Sequence, residues 1–395
     1  MKGPKILYIL NVAARVNNFS YSAMLAAQAE GMEFHIAGNW SYASDAERLS
    51  DEERYGIKIH QIDFIRAPYH PGNRKAYGQL KALMESENYD MIHCNTPIGG
   101  LLGRLAGKKY GIEKVIYQVH GFHFYKGAPL ANWLLYYPVE RLLAHWTDAI
   151  ITINHEDYAF AQKKMKLRKD GRGYYVPGVG IDTQAYMPDE TVRIAKRLEL
   201  GLSGDDIMLI SAGELNKNKN NMVLISALAK LQDKKIHYFL CGVGDKENDL
   251  RKQAEEAGLS ENIHFLGYRT DMKALLQAAD VFVMPSFREG LSRAIMEAMS
   301  SGLPCVVSRI RGNVDLVEEG KGGYLHAPAD ANAAAEAIAK LASDPALRQT
   351  MRAFNLEKIK NFDSSVVEQS IRAIYEDVFR HVRSENREGV APAAK

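Results

Sequence analysis

Short apolar runs alternate with longer amphipathic stretches along the whole chain. Each run has three to six residues and is typical of a strand that is buried on both faces of a parallel sheet. The stretches between the runs repeat apolar positions with helical spacing, for example at 20–30, 75–87 and 101–110. The first half predicts strands at Ile6–Leu10, Phe34–Ala37, Lys58–Ile62, Met91–Cys94, Val115–Val119 and Ala149–Ile153. The second half predicts strands at Ile207–Ala212, His237–Cys241, His264–Leu266, Val281–Met284 and Cys305–Ser308.

Strand and helix alternate in order, which predicts an α/β fold with doubly wound parallel sheets. A Gly- and Pro-rich connector at 177–182 separates the two series of strands. We therefore expect two Rossmann-like domains, residues 1–183 and 184–362, followed by a disordered tail at 384–395. Ligands of open α/β sheets bind beyond the carboxyl ends of the strands, so both domains should offer loops to one cleft.

Composition narrows the class of protein. The 395 residues are 46% hydrophobic and 25% charged, which is typical of a soluble globular protein. The net charge of +2 argues against a nucleic-acid-binding protein. The three cysteines are far apart and show no metal-binding spacing, so a reducing cytoplasm is expected, with no bound metal. No apolar run is long enough to span a membrane.

The segment 285–305 carries the most chemistry. It begins where the apolar strand at 281–284 ends, and a helix follows after a short turn. Two carboxylates lie eight residues apart, Glu289 in the turn and Glu297 inside the helix. Gly290 permits close approach, and the helix N-terminus presents backbone amides. Amides suit a phosphate and carboxylates accept from hydroxyls, so this pattern predicts a site for a phosphorylated ligand that carries hydroxyls.

The segment 289–297 with its surroundings resembles the donor-site motif of family-4 glycosyltransferases, which are retaining enzymes of the GT-B fold. Three further segments, 120–127, 214–220 and 311–316, are similar to the exopolysaccharide and capsule branch of that family and occur in the same order. The resemblance covers nearly the whole chain. It implies that the first domain faces the acceptor, that the second binds the donor, and that a last helix at 363–383 returns to complete the first domain.

The resemblance also implies roles in the second domain. Glu297 would hold the ribose hydroxyls, and Glu289 would contact the donor sugar. The departing diphosphate would be stabilised by the amides around Gly290, Leu291 and Ser292, by Lys219, and by Arg293 as a further cation. Gly213 and Asn216 belong to the same diphosphate loop, and Tyr268 and Arg269 would lie beside the nucleobase. This chain has Glu214 where the family usually has Arg.

In the first domain, His120 ends an apolar strand and corresponds to the family's histidine, with His123 as a neighbouring candidate. Such a histidine can bind a donor-sugar hydroxyl or stabilise charge. Arg15 and Asn17, in the loop after the first strand, are acceptor-side candidates. Gly99 and Gly100 follow another strand, where either close approach to a ligand or tight helix–sheet packing would explain them.

Two neighbouring segments suggest contact with a membrane surface. Residues 129–146 are rich in aromatic residues and leucine, and residues 162–172 concentrate lysine and arginine. Such a combination suits an anionic lipid surface. A core helix followed by a solvated charge run explains the pattern equally well, and only the family resemblance favours the membrane.

These observations predict a cytoplasmic retaining glycosyltransferase at the inner face of the membrane. It would transfer a sugar from a UDP-sugar to a saccharide carried on a polyprenyl diphosphate, without metal or other cofactor. Two alternatives remain open. One is an enzyme of the same architecture, such as a sugar-nucleotide epimerase, which needs no acceptor. The other is a catalytically weak nucleotide-sugar-binding partner of a polysaccharide assembly complex, an idea that Glu214 supports.

Overall fold

The computed structural model describes residues 3–16 and 18–388. The chain forms two compact units, the first made of residues 1–180 and 364–395 and the second of residues 181–363. Each unit contains one parallel sheet with helices on its faces, so the predicted fold of two doubly wound Rossmann-like domains is confirmed. The division after Gly180 and after Asp363 lies within three residues of the predicted boundaries.

Within its described residues, the first unit has a seven-stranded sheet in the order β3-β2-β1-β4-β5-β6-β7. Its strands are β1 (Lys5–Val12), β2 (Glu33–Asn39), β3 (Lys58–Gln61), β4 (Met91–Asn95), β5 (Lys114–Val119), β6 (Ala149–Thr152) and β7 (Arg172–Tyr175). Its helices include α1 (Asn18–Ala29), α2 (Asp45–Tyr55), α3 (Asn73–Ser86), α4 (Pro97–Lys109), α5 (Leu130–Ala144) and α6 (His155–Lys164). Strand β7 was missed in the sequence because it is only partly buried and lies beside a basic run.

The second unit, residues 181–363, is described throughout and has a six-stranded sheet in the order β10-β9-β8-β11-β12-β13. Its strands are β8 (Ile207–Ala212), β9 (Ile236–Cys241), β10 (Ile263–Gly267), β11 (Val281–Met284), β12 (Cys305–Ser308) and β13 (Gly323–His326). Its helices are α7 (Glu190–Glu199), α8 (Met222–Leu231), α9 (Glu247–Glu256), α10 (Met272–Ala278), α11 (Arg293–Ser300), α12 (Asn313–Leu316), α13 (Ala331–Ser343) and α14 (Pro345–Lys358).

The C-terminal helix α15 (Ser364–Glu388) packs its apolar stripe against the core of the first unit. Its Tyr375 hydroxyl lies 2.7 Å from Nδ1 of the buried His93, whose pKa burial lowers to about 3. The sequence predicts disorder from residue 384, but the helix continues to Glu388. The prediction is therefore wrong for 384–388, a charged stretch that extends the last helix. The rest of the predicted tail, residues 389–395, lies outside the described residues.

The glycines of α4 serve helix–sheet packing. A methyl group at Gly100 would lie 2.3 Å from the Tyr117 ring, and one at Gly107 would lie 2.9 Å from Val115. A side chain at either position would force its buried neighbour to shift in a closely packed interior. Of the two explanations that the sequence left open for the Gly99–Gly100 pair, the structure therefore supports tight packing at Gly100.

Candidate functional site

The loop between β11 and α11 presents a row of backbone amides. Ser292 caps α11, and its side-chain oxygen accepts from the amide of Ile295. Among the described residues, none accepts a hydrogen bond from the amides of Gly290, Leu291 or Ser292. A methyl group at Gly312 would lie 2.2 Å from the carbonyl oxygen of Gly290, so this loop is held by direct backbone packing. Preorganised amides at a helix N-terminus form a site for an anion.

Beside these amides lies an ion pair between Lys219 and Glu289, two of the residues that the sequence predicted for the donor site. Lys219 Nζ is 2.8 Å from Glu289 Oε1, and the two side chains are 22% and 15% exposed. The lysine stem passes over Gly213, where a methyl group would lie 3.0 Å from Lys219 Cε. The structure therefore brings Gly213, Lys219 and Glu289 together, with a cation next to the row of amides.

Asparagine side chains hold the lysine loop against the glutamate loop. Asn220 has a left-handed backbone with a φ of 55°, and its Nδ2 donates to the carbonyls of Pro285 at 3.1 Å and Pro328 at 2.7 Å. Asn218 Nδ2 donates to the carbonyl of Arg288 at 3.0 Å. Asn216, which we predicted to bind the donor, accepts from the Lys219 amide at 3.1 Å through Oδ1 and so shapes the loop.

Glu297 lies on α11 and is engaged by two donors. Its Oε1 accepts from Arg293 Nε at 2.8 Å and from the Tyr186 hydroxyl at 2.9 Å. Burial and the nearby carboxylate raise the pKa of Tyr186 to about 12, so its hydroxyl stays protonated. No sequence pattern links Tyr186 to this site, because it precedes Glu297 by more than a hundred residues. Arg293, predicted to be a cation for the diphosphate, here pairs with Glu297 one helical turn away.

A cavity of about 320 Å³ opens next to the lysine loop. It is lined by Ala212, Gly213, Glu214, Cys241, Gly242, Val243, Tyr268, Arg269 and Met272. Both predicted nucleobase residues are therefore present, with the Tyr268 ring 79% exposed. Arg269 forms two hydrogen bonds to Asp271, at 2.8 and 2.6 Å, and thereby holds the pKa of that carboxyl well below its usual range. The size and the largely apolar wall suit one aromatic ring system.

In the first unit, His120 lies at the carboxyl edge of the sheet, just after β5. Its Nε2 lies 3.0 Å from Asn95 Oδ1, and its ring meets Phe19 edge-on at 5.3 Å. Burial lowers the pKa of His120 to about 4, so the imidazole is neutral at physiological pH. Its Nδ1 is buried and has no hydrogen-bond partner within the described part of the chain. Thr96, next to Asn95, has a φ of 64° and a ψ of 161°, a strained conformation of the kind found at functional sites.

Two other candidates of the first unit, His123 and Arg15, contact residues of the same unit. The His123 ring packs on Tyr136 at 4.6 Å. Arg15 Nε lies 2.9 and 3.1 Å from the two carboxylate oxygens of Asp51, which satisfies the guanidinium locally. Asn17 lies outside the described residues. His123 and Arg15 therefore have partners within the first unit, and their roles towards the acceptor stay predictions.

Helix α5 has two contrasting faces. Its aromatic residues pack into the core of the first unit, and a buried Arg104–Glu140 pair at 2.7 Å ties the helix to α4. The opposite face exposes Leu130, Leu134, Leu135, Val139 and Leu142.

No described helix is long and apolar enough to cross a membrane. Likewise, the described residues contain no cluster of three or more His, Cys, Asp or Glu side chains that could hold a metal.

Comparison with known proteins matches both units. Residues 5–154 match the family model for Glycosyl transferase 4-like domains, and residues 192–357 match the model for Glycosyl transferases group 1. The chain is 36% identical over 349 residues, 87% of its length, to "Putative glycosyltransferase EpsD" of Bacillus subtilis, and the match covers 88% of that protein.

A second relative is the Escherichia coli enzyme named UDP-Gal:alpha-D-GlcNAc-diphosphoundecaprenol alpha-1,3-galactosyltransferase, which is 28% identical over 309 residues. That match covers 77% of this chain and 79% of the enzyme. Among solved structures, Anabaena HepE in complex with UDP superposes with a TM-score of 0.76 at 21% identity. The superposition covers 94% of this chain and 100% of the HepE chain, so the two proteins share the GT-B fold.

Proposed function

Because this chain belongs to the glycosyltransferase family defined by the group 1 and 4-like domains, we propose that it transfers a sugar from a UDP-sugar to a polyprenyl-diphosphate-linked saccharide. The reaction would extend a surface polysaccharide such as an exopolysaccharide or capsule. The main support is that the amides at 290–292, which have no acceptor among the described residues, lie next to the Lys219–Glu289 ion pair. This arrangement can hold a diphosphate and a sugar hydroxyl side by side.

The donor would lie along the carboxyl edge of the second unit. Its nucleobase would fill the cavity beside Tyr268, its ribose would meet Glu297, and its diphosphate would lie on the amides and on Lys219. Glu289 would accept from a hydroxyl of the sugar. A UDP donor is supported by the E. coli relative, whose name specifies UDP-Gal, and by the fold neighbour in complex with UDP.

Catalysis would come from stabilising the leaving group. As the bond between the anomeric carbon and the diphosphate breaks, negative charge develops on UDP, where Lys219 and the amides offset it. The acceptor hydroxyl would form the new bond on the same face and pass its proton to the departing phosphate, which retains the anomeric configuration. Because Lys219 and the amides already supply positive charge, we propose that the step needs no metal. We also propose that His120, which is neutral, forms a hydrogen bond with a hydroxyl of a sugar substrate.

The exposed apolar face of α5 would rest on the inner leaflet that carries the acceptor, placing the protein in the cytoplasm at the membrane surface. The name of the E. coli relative specifies an acceptor on diphosphoundecaprenol, a membrane lipid. Leu134→Asp should reduce co-sedimentation with anionic vesicles several-fold. Leu198→Asp is the matched control, because Leu198 is 79% exposed on the second unit, compared with 70% for Leu134. Equal binding by both variants would contradict membrane docking through α5.

The transfer reaction itself tests the proposal. The purified protein is incubated with UDP-sugars, one at a time, with and without a polyprenyl-diphosphate-linked acetamido sugar, in buffer containing EDTA. We expect an acceptor-dependent product whose new linkage is α by NMR when the donor is α-linked. Conversion of the UDP-sugar without acceptor would instead support an epimerase. Donor binding without any turnover would support the role of a nucleotide-sugar-binding partner.

A further inference from the structure

A buried tyrosine outside the recognised motif contacts the carboxylate that is proposed to bind ribose. We propose that Tyr186 is a positioning residue that orients Glu297, so that the donor site selects ribonucleotides over deoxyribonucleotides. The inference rests on the proposed function, because it takes the ligand of Glu297 to be a nucleoside diphosphate.

Tyr186 is held rigidly in a 3-10 turn, Gln184–Tyr186. The Asp182 carboxylate accepts from the amide of Ala185 at 3.0 Å before the turn, and Gln277 Nε2 donates to the Met187 carbonyl at 2.9 Å after it. The tyrosine side chain is buried in the same core cluster as α11. Its hydroxyl therefore reaches Glu297 from a fixed position.

The two oxygens of the Glu297 carboxylate are used differently. Oε1 receives both donors, the Tyr186 hydroxyl at 2.9 Å and Arg293 Nε at 2.8 Å. Within the described residues, Oε2 accepts no hydrogen bond. Fixing one oxygen orients the plane of the carboxylate and leaves the other oxygen as the acceptor for a ligand hydroxyl.

The two donors are not equivalent. Arg293 has a side chain that is 44% exposed, so its bond to Glu297 competes with water and with a bound diphosphate. Tyr186 is shielded from water, and its hydroxyl stays protonated at any working pH because its pKa is raised to about 12. Tyr186 is therefore the donor that keeps Glu297 in place when a charged ligand draws Arg293 away.

A site that hydrogen-bonds a ligand hydroxyl rejects the analogue that lacks it, provided that the site group is fixed. Once the Tyr186 hydroxyl is removed, Glu297 can turn towards water, and the preference for the ribose hydroxyl should weaken. The effect should concern the ribose alone, because within the second unit no hydrogen bond joins Tyr186 to the amides at 290–292 or to Lys219.

Calorimetric titration of Tyr186→Phe with UDP, 2′-deoxy-UDP and 3′-deoxy-UDP tests this inference. We expect the wild-type protein to prefer UDP over one deoxy analogue by at least roughly tenfold, and the variant to lose most of that preference. The KM for the UDP-sugar should rise while kcat stays within about twofold of wild type. Tyr324→Phe is the control and should keep the preference, since Tyr324 lies on β13 of the same unit and packs against a different core cluster from that of α11.

The outcomes separate the two proposals. No binding of UDP by the wild-type protein would refute the proposed function. Clear selection for the ribose hydroxyl in both the wild-type protein and Tyr186→Phe would refute the role of Tyr186 alone. If Tyr186→Phe fails to fold, Arg293→Met tests the same inference, because it removes the other donor to Glu297 and leaves the Tyr186 hydroxyl in place. This variant should keep the preference for the ribose hydroxyl, and loss of the preference would overturn the inference.

Discussion

Replacing Lys219 with Met separates catalysis from folding. The methionine keeps an apolar stem over Gly213 but removes the charge that lies 2.8 Å from Glu289. We expect turnover to fall by about 100-fold or more, because one preorganised donor at a developing anion contributes about 3–4 kcal/mol. Donor affinity should fall by less than about tenfold, since the bound diphosphate keeps the backbone amides.

The stability cost should be small by comparison. Exposed ion pairs contribute up to about 1 kcal/mol, and breaking a buried pair costs about 3–5 kcal/mol. The Lys219–Glu289 pair is partly exposed, so the loss should be on the order of 1–2 kcal/mol, and the melting temperature should drop by only a few degrees. A folded protein with almost no turnover is therefore expected.

The assay pairs single-turnover kinetics with calorimetric titration of the donor. Lys217→Met is the matched control, because Lys217 is an exposed lysine of the same loop and its loss changes the net charge equally. The control should keep turnover within about threefold of wild type. Near-wild-type turnover in Lys219→Met, or an equal loss in both variants, would refute the role of Lys219 at the leaving group.

Three further predictions concern packing and charge. In Gly213→Ala, the new methyl group would contact Lys219 Cε, and the backbone φ of 145° would strain the alanine. Turnover should fall roughly tenfold because the lysine is displaced, while the circular dichroism spectrum stays unchanged. Wild-type kinetics would contradict this prediction. Burial lowers the pKa of His93 from 6.5 to about 3, so its stabilising contribution is complete above pH 6.5 and is lost as the pH falls towards 3. Urea unfolding at pH 5 and pH 8 should therefore show a loss about 2 kcal/mol larger in the wild type than in His93→Gln, and equal losses would contradict it. Arg104→Met should lower the free energy of unfolding by about 3–5 kcal/mol, because it leaves Glu140 buried without its partner. The double variant Arg104→Met/Glu140→Gln should lose less than the sum of the losses in the two single variants. A loss below about 1 kcal/mol in Arg104→Met would show that the pair is not buried in solution.

The sequence predicted the elements of the fold well because buried parallel strands have a strong local signal. Strands β8, β11 and β12 match their predicted bounds, and the other predicted strands differ by one or two residues at one or both ends. The two strands that were missed, β7 and β13, are short and only partly buried, so their apolar signal is weak.

The donor motif was also predictable, because Glu289 and Glu297 are close in sequence and belong to one strand–loop–helix segment. Contacts between distant segments were not predictable. Tyr186 reaches Glu297 from the start of the second unit, and Asp51 pairs with Arg15 from α2. Pattern reading identified the charged side chains of the site but not the partners that orient them.

We propose above all that the second unit binds a UDP-sugar through Glu289 in the β11–α11 loop and Glu297 on α11. Calorimetric titration of the protein with UDP, GDP and ADP tests this claim most directly, with Glu297→Gln as the comparison. We predict selective binding of UDP, weakened by about ten- to a hundredfold in the variant, because one charge-assisted hydrogen bond to ribose is lost. Equal affinity of the variant and the wild type for UDP, or no binding of any nucleotide, would contradict it.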